Sequence, residues 1–170
     1  TNVIIDNTAP TLEITGTNGT TYKKESDATI TLKDTGGSGL TAGSYTIKYG
    51  WATSSQSCSN LTSSTTITVA AGATSGSVKV NVKDKTGAGK LYVCNSTSIT
   101  DRAKNTLSAN SIVSSNMYLD NEEPQIVINP NGGSYTISVG STSTAVRKTI
   151  TVTDSTLNKS SLKYGWSSSK

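Results

Sequence analysis

The sequence predicts an all-β protein built as a sandwich of short strands, and three observations carry that expectation. Apolar and polar residues alternate in brief runs, and clusters of Gly, Asn, Asp and Ser separate those runs. No stretch of a dozen residues repeats its apolar positions at the helical period of about 3.6. Leu12 and Ile14 form the first alternating run, Ile30 and Leu32 the next, then Tyr45, Ile47 and Tyr49. Ile67 with Val69, and Val78 with Val80 and Val82, continue the pattern. A period of two gives each strand one buried and one wet face. Strands are expected near 11–15, 28–33, 44–51, 65–70, 77–82, 90–97 and 111–118. Between them, Asp34-Thr35-Gly36-Gly37-Ser38-Gly39 and Ala71-Gly72-Ala73 supply residues that tolerate the positive φ of tight turns.

Composition narrows the function classes. The chain has 170 residues, a formal charge of +4 and only 15% charged residues. That is a mildly basic surface without the clustered Lys and Arg of a nucleic-acid binder, so no nucleic-acid partner is expected. Ser and Thr make up about a third of the chain. There is no His, which removes Ser-His-Asp triads, Cys-His dyads and imidazole metal sites together, and the chain is read as non-enzymatic. No run approaches the ~20 apolar residues of a membrane span, so no membrane insertion is expected within it. The chain starts at Thr1 rather than Met and reads as a portion of a longer, secreted protein.

The sequence also repeats itself. Ile5-Asp6-Asn7, followed by Pro10 and Leu12-Glu13-Ile14, recurs as Leu119-Asp120-Asn121, Pro124 and Ile126-Val127-Ile128. Lys48-Tyr49-Gly50-Trp51 recurs as Lys163-Tyr164-Gly165-Trp166. The two offsets are 114 and 115, so two unrelated motifs keep one spacing, the signature of tandem modules. Residues 1–6 then form the closing strand or linker of a preceding module, and 7–119 a complete one. Residues 120–170 hold the first part of a second, with about three strands near 125–128, 145–153 and 161–167. Its open core face and strand edges would pair with another chain or with the rest of its own module. Seven strands in roughly 110 residues fit an immunoglobulin-like sandwich.

The residues carry a family likeness. Asp6-Asn7-Thr8-Ala9-Pro10-Thr11 resembles the D-x-T-A-P-T junction between tandem bacterial immunoglobulin-like domains of secreted and cell-surface proteins. Lys48 to Ser54 is similar to the aromatic-then-Trp strand of those modules. Leu91-Tyr92-Val93-Cys94, leading to Thr100-Asp101-Arg102-Ala103-Lys104-Asn105-Thr106, is similar to their late strand, with Lys104 where Gly is usual. The resemblance implies an extracellular, cell-surface setting. It also implies a structural disulfide. Tyr92-Val93-Cys94 resembles the tyrosine-corner spacing, but Cys58 follows Trp51, which excludes the antibody-type bridge. Cys58 to Cys94, from the loop after the Trp strand to the penultimate strand, is the alternative.

Other candidate residues are weighed by chemistry. Trp51 and Trp166 could stack on sugars, but alternation with Tyr places them in the sandwich core, and the likeness to a tyrosine corner adds Tyr92 to it. Asp101, Asn105, Asp120, Asn121 and Glu122, with Asp6, Asn7 and Glu123, could gather oxygens for Ca²⁺ at the module junctions; no other cofactor is expected. Gln56, Ser57 and Asn60 lie on the polar stretch 53–64, the candidate ligand-binding loop. Glu13 is the carboxylate read as able to be buried on a strand. The Ser-x-x-Lys runs at 160–163 and 167–170 are accidents of a Ser- and Lys-rich chain. The expected function is a structural spacer, or stalk, of a bacterial surface protein, with neighbouring modules as partners. The alternatives are a cell-adhesion module that binds host protein or glycan through its end loops, and an accessory domain of a secreted glycan-degrading enzyme.

Overall fold

The computed structural model describes residues 5–129, 148–157 and 159–165. The chain divides into two compact units, Thr1–Asn121 and Glu122–Lys170. In the first unit the strands are β1 (Thr11–Thr15), β2 (Gly19–Lys23), β3 (Glu25–Lys33), β4 (Gly43–Ala52), β5 (Ser63–Val69), β6 (Ser75–Lys83), β7 (Gly87–Asn95), β8 (Ile99–Thr100), β9 (Thr106–Leu107) and β10 (Ile112–Leu119). They form a three-stranded sheet in the order β1-β3-β6 and a five-stranded sheet in the order β2-β10-β7-β4-β5. β8 and β9 make a separate small hairpin.

The core lies between the two sheets, and period-two patterning builds it. Leu12, Ile30, Leu32 and Val80 from the smaller sheet meet Ile47, Ile67, Leu91, Val93 and Met117 from the larger one. Their sequence neighbours Glu13, Thr31, Lys79, Lys90 and Tyr92 therefore point outward. Trp51 packs against this core, and its indole N–H donates to the Met117 carbonyl at 2.6 Å. Room for the ring comes from Gly89, where a Cβ would overlap the indole.

The first unit departs from the sequence expectation in several features, the short additional strands β8 and β9 among them. β2 is an additional strand, parallel to β10, whose side chains are almost all exposed and so carry no alternation. Tyr92 lies outside the main core, because Leu91 and Val93 take the inward positions. It packs on the outer face of the five-stranded sheet against a satellite cluster of Cys58, Leu61 and Cys94. Cys58, in a short 3-10 turn (Cys58–Asn60), is disulfide-bonded to Cys94 of β7 with Cα atoms 5.8 Å apart. The bridge folds the segment after β4 back over its own sheet. Leu61 then fits against Gly50, whose missing side chain leaves the space.

The second unit contains the antiparallel pair β11 (Gln125–Asn129) and β12 (Thr149–Thr153). Its register repeats that of the first unit. Thr11 faces Lys33 and Ile14 faces Ile30 in β1–β3; Gln125 faces Thr153 and Ile128 faces Ile150 in β11–β12. Ile126, Ile128 and Ile150 are exposed, whereas the matching Leu12 and Ile30 are buried. The strand expected over 161–167 is not formed in its described part: Lys159–Ser161 is a 3-10 turn and 162–165 are irregular. In the first unit the matching residues of β4 are held between β5 and β7, and the described part of the second unit has no such flanking strands. Residues 145–147 and Trp166 lie outside the described residues.

Strand directions fix where the first unit receives and releases its chain. β1 starts beside the end of β3, with Thr11 facing Lys33. β10 finishes beside the start of β7, with Leu119 facing Gly87 and Lys23. Glu25, where β3 begins, faces Lys83 at this same end. The chain thus enters at one end of the sandwich and leaves at the other, separated by the nine-residue length of β3, or about 27 Å.

Candidate functional site at the N-terminal end of the sandwich

Three carboxylates converge where the chain enters. Asp6 precedes β1, Asp34 follows β3 and Asp101 follows β8; one oxygen from each lies within 4.8 Å of the others. Asp6 is 8% exposed, Asp34 5% and Asp101 0%. Burying three like charges together is costly unless donors compensate them. Among the described residues none of the three has a Lys or Arg partner, and Lys33, next to Asp34 in sequence, is paired with Glu13 instead. The compensation is almost entirely amide.

The Gly-rich turn supplies most of it. Asp34 accepts from Gly36 N (2.9 Å), Gly39 N (2.6 Å) and the Ser38 hydroxyl (3.4 Å). Asp6 accepts from Thr8 N (2.9 Å) and Ser38 N (3.2 Å). Two local requirements explain the glycines. Gly37 and Gly39 take positive φ (90° and 84°), which turns successive N–H groups toward the carboxylates. A Cβ on Gly36 would overlap the Asp6 carboxylate itself. The Ser38 side chain first, then the Thr8 amide, holds the Asp6 carboxyl below its ordinary value of 3.8 against the opposing effect of burial.

The β8–β9 turn closes the other side. Asp101 accepts from Asn105 N and Asn105 Nδ2, each at 2.8 Å, and the same Nδ2 donates to the Asp6 carbonyl at 2.9 Å. Lys104, between them, adopts a left-handed φ of 78°. That is the position where the resembling modules carry Gly. Arg102 N donates to Gly39 O and Leu40 forms a β-bridge with Asp101, so the two turns also join through backbone. Every oxygen of the three carboxylates accepts at least one protein donor. Asp34 Oδ2 accepts twice and the other five oxygens once each, and one oxygen from each carboxylate, all within 4.8 Å of one another, offers three hard oxygen donors to a divalent cation.

Asp101 and Asn105 are thus brought together with Asp6, which was weighed with them, and with Asp34, which reads in sequence only as turn chemistry. Asp120 and Asn121 do not join them. They sit at the opposite end, where Asp120 N donates to Lys23 O, and Asn121 donates to Thr86 Oγ1 and Asp84 Oδ1. Glu122 falls in the second unit. Glu13 is half-buried rather than buried: Leu12 and Ile14 take the inward positions of β1, and Glu13 turns outward to Lys33. Among the described residues of the second unit, Asp154 Oδ1 accepts from Thr156 N at 2.6 Å as Asp34 Oδ1 does from Gly36 N.

Gln56, Ser57 and Asn60 lie on the disulfide-pinned segment. Gln56 donates to Ser54 and Ser57 shares a hydrogen bond with Ser59, so their polar atoms serve the loop itself; Asn60 is exposed. The disulfide is consistent with a location outside the reducing cytoplasm. Among the described residues no helix is long and apolar enough to cross a membrane. Comparison with protein-family models, curated proteins and solved structures returned no match.

Proposed function

We propose that the chain is a non-catalytic spacer, made of tandem immunoglobulin-like modules of a bacterial extracellular or cell-surface protein. Stacked modules of this kind hold other domains away from the envelope. The observation that carries the reading is that the first unit takes in its chain at one end and releases it at the other, with both points tied into its body. Asp6 is locked by two turns, and Asp120 and Asn121 are bonded to Lys23, Thr86 and Asp84. The repeated junction motif and the repeated register of β1–β3 in β11–β12 support the tandem arrangement. Nuclear relaxation on a polypeptide spanning two complete modules is expected to return one shared tumbling time. Two independent times would defeat the proposal.

A second reading is favoured by the three buried carboxylates that lack a cationic partner. In it a divalent cation such as Ca²⁺ occupies the cluster and stiffens the junction. Calcium is then expected to raise the unfolding temperature, a chelator to reverse the rise, and Asp34→Asn to abolish it. No response to calcium would leave the carboxylates held by their amide and Ser38 donors alone.

A further inference from the structure

The two sheets of the first unit differ in charge, a property that a spacer does not need. Its strand carboxylates, Glu13, Glu25 and Asp27, all lie on the three-stranded sheet. The five strands of the other sheet contain no Asp or Glu and carry Lys23, Lys48 and Lys90. Strand alternation decides what faces water. Ile47, Leu91 and Met117 are fully buried, so Lys48, Lys90 and Asn116 point away from the core. The β7–β10 register sets Lys90 opposite Asn116 and Ala88 opposite Tyr118. Tyr118 in turn meets Tyr22 of β2, ring centroids 5.2 Å apart and planes tilted by 56°. Tyr22 is 39% exposed and Lys90 is exposed. Two aromatic rings, an amide and an ammonium therefore share one outer face, with the small Ala88 beside Tyr118 and Lys90.

We infer that this face binds an anionic polysaccharide, a chain of uronic acids or sugars of similar charge. Tyr22 and Tyr118 offer ring faces to the C–H face of a sugar, Asn116 offers donor and acceptor to its hydroxyls, and Lys90 meets its carboxylate. Beyond the two rings, the exposed apolar side chain of β10 is Ile112 at the far end of the strand, set apart from them by Ser114 and Asn116, so the patch around the rings is too polar for the core of a protein–protein interface. Three lysines spread over five strands do not make the clustered stripe that tracks a nucleic-acid backbone.

The test uses the full chain against immobilised polygalacturonate, with dextran as the uncharged control. Binding to polygalacturonate is expected, weakening as salt rises. Lys90→Glu, and the pair Tyr22→Ala with Tyr118→Ala, should each weaken it about tenfold. Lys79→Glu makes the same change of net charge on the outer face of the three-stranded sheet and should leave binding unchanged. Absence of binding would overturn the inference, as would equal affinity for dextran or an equal loss with Lys79→Glu. Binding to DNA or to an acidic protein as tight as to polygalacturonate would also overturn it, by showing charge attraction without sugar recognition. Circular dichroism of each variant confirms that a loss of binding is not a loss of fold.

Discussion

Removing the Cys58–Cys94 bond tests what pins the segment after β4. The bond closes a loop of 36 residues. On the chain-entropy account, freeing a loop of that length restores about 3.8 kcal/mol of denatured-state entropy at 25 °C. For a unit of this size that corresponds to a fall in unfolding temperature of about 15 °C. Guanidinium denaturation of the Cys58→Ala, Cys94→Ala variant, followed by Trp51 fluorescence in a Trp166→Phe background, reads the loss directly. The denaturant slope should also rise, because an uncrosslinked denatured chain exposes more surface. Reduction of the unmodified chain provides a second route to the same state. A loss below about 1 kcal/mol with an unchanged slope would refute the reasoning. It would mean that the denatured chain keeps this loop compact without the covalent bond.

Three further outcomes are expected. Lys104→Gly relieves a left-handed backbone at a side chain that the structure leaves exposed. The relief of about 1–2 kcal/mol exceeds the extra entropy of glycine, so the denaturation midpoint should rise by the equivalent of about 0.5–1 kcal/mol. Gly89→Ala forces a methyl group into the Trp51 indole and should cost about 1–3 kcal/mol, with a changed tryptophan emission as the local readout. The Asp6 carboxyl is held below 3.8, so its contribution is complete above that value and is lost as pH falls through the lower folded-state value. Asp6→Asn should therefore flatten the acid limb of the stability curve below pH 3.8, as read by thermal unfolding across a pH series.

What the sequence disclosed, and what it did not, follows from which forces act locally. β3, β4, β6 and β7 are legible because one face of each is buried, and burial of one face imposes a period of two. β2 has no buried face, so Gly19–Lys23 carries no pattern; it is a strand because β10 presents an open edge to it. Tyr92 reads as core from its likeness to a tyrosine corner, yet its facing is set by Leu91 and Val93 on either side. The cluster at the N-terminal end was half visible. Asp101 and Asn105 lie four residues apart in one turn, and the repeat points to Asp6. Asp34 could not be joined to them, because its partners come from separate segments that meet only once both sheets have formed. The six-residue glycine-rich run beside it held the missing signal: three backbone donors from one short turn are more than a reversal of direction needs.

That the chain enters and leaves the first unit at opposite ends has a mechanical consequence. Tension applied through residues before β1 and after β10 pulls along the strand axes in opposite directions. On one sheet the load falls on the five paired positions of β1 and β3; on the other it falls on the eight of β10 and β7. Both sets are loaded in shear, so their hydrogen bonds must give way together instead of opening one at a time from a free end. The β1–β3 pairing is the shorter of the two and is the expected point of failure. The Lys33–Glu13 ion pair and the three-carboxylate cluster both lie toward the end where that pairing would begin to slip.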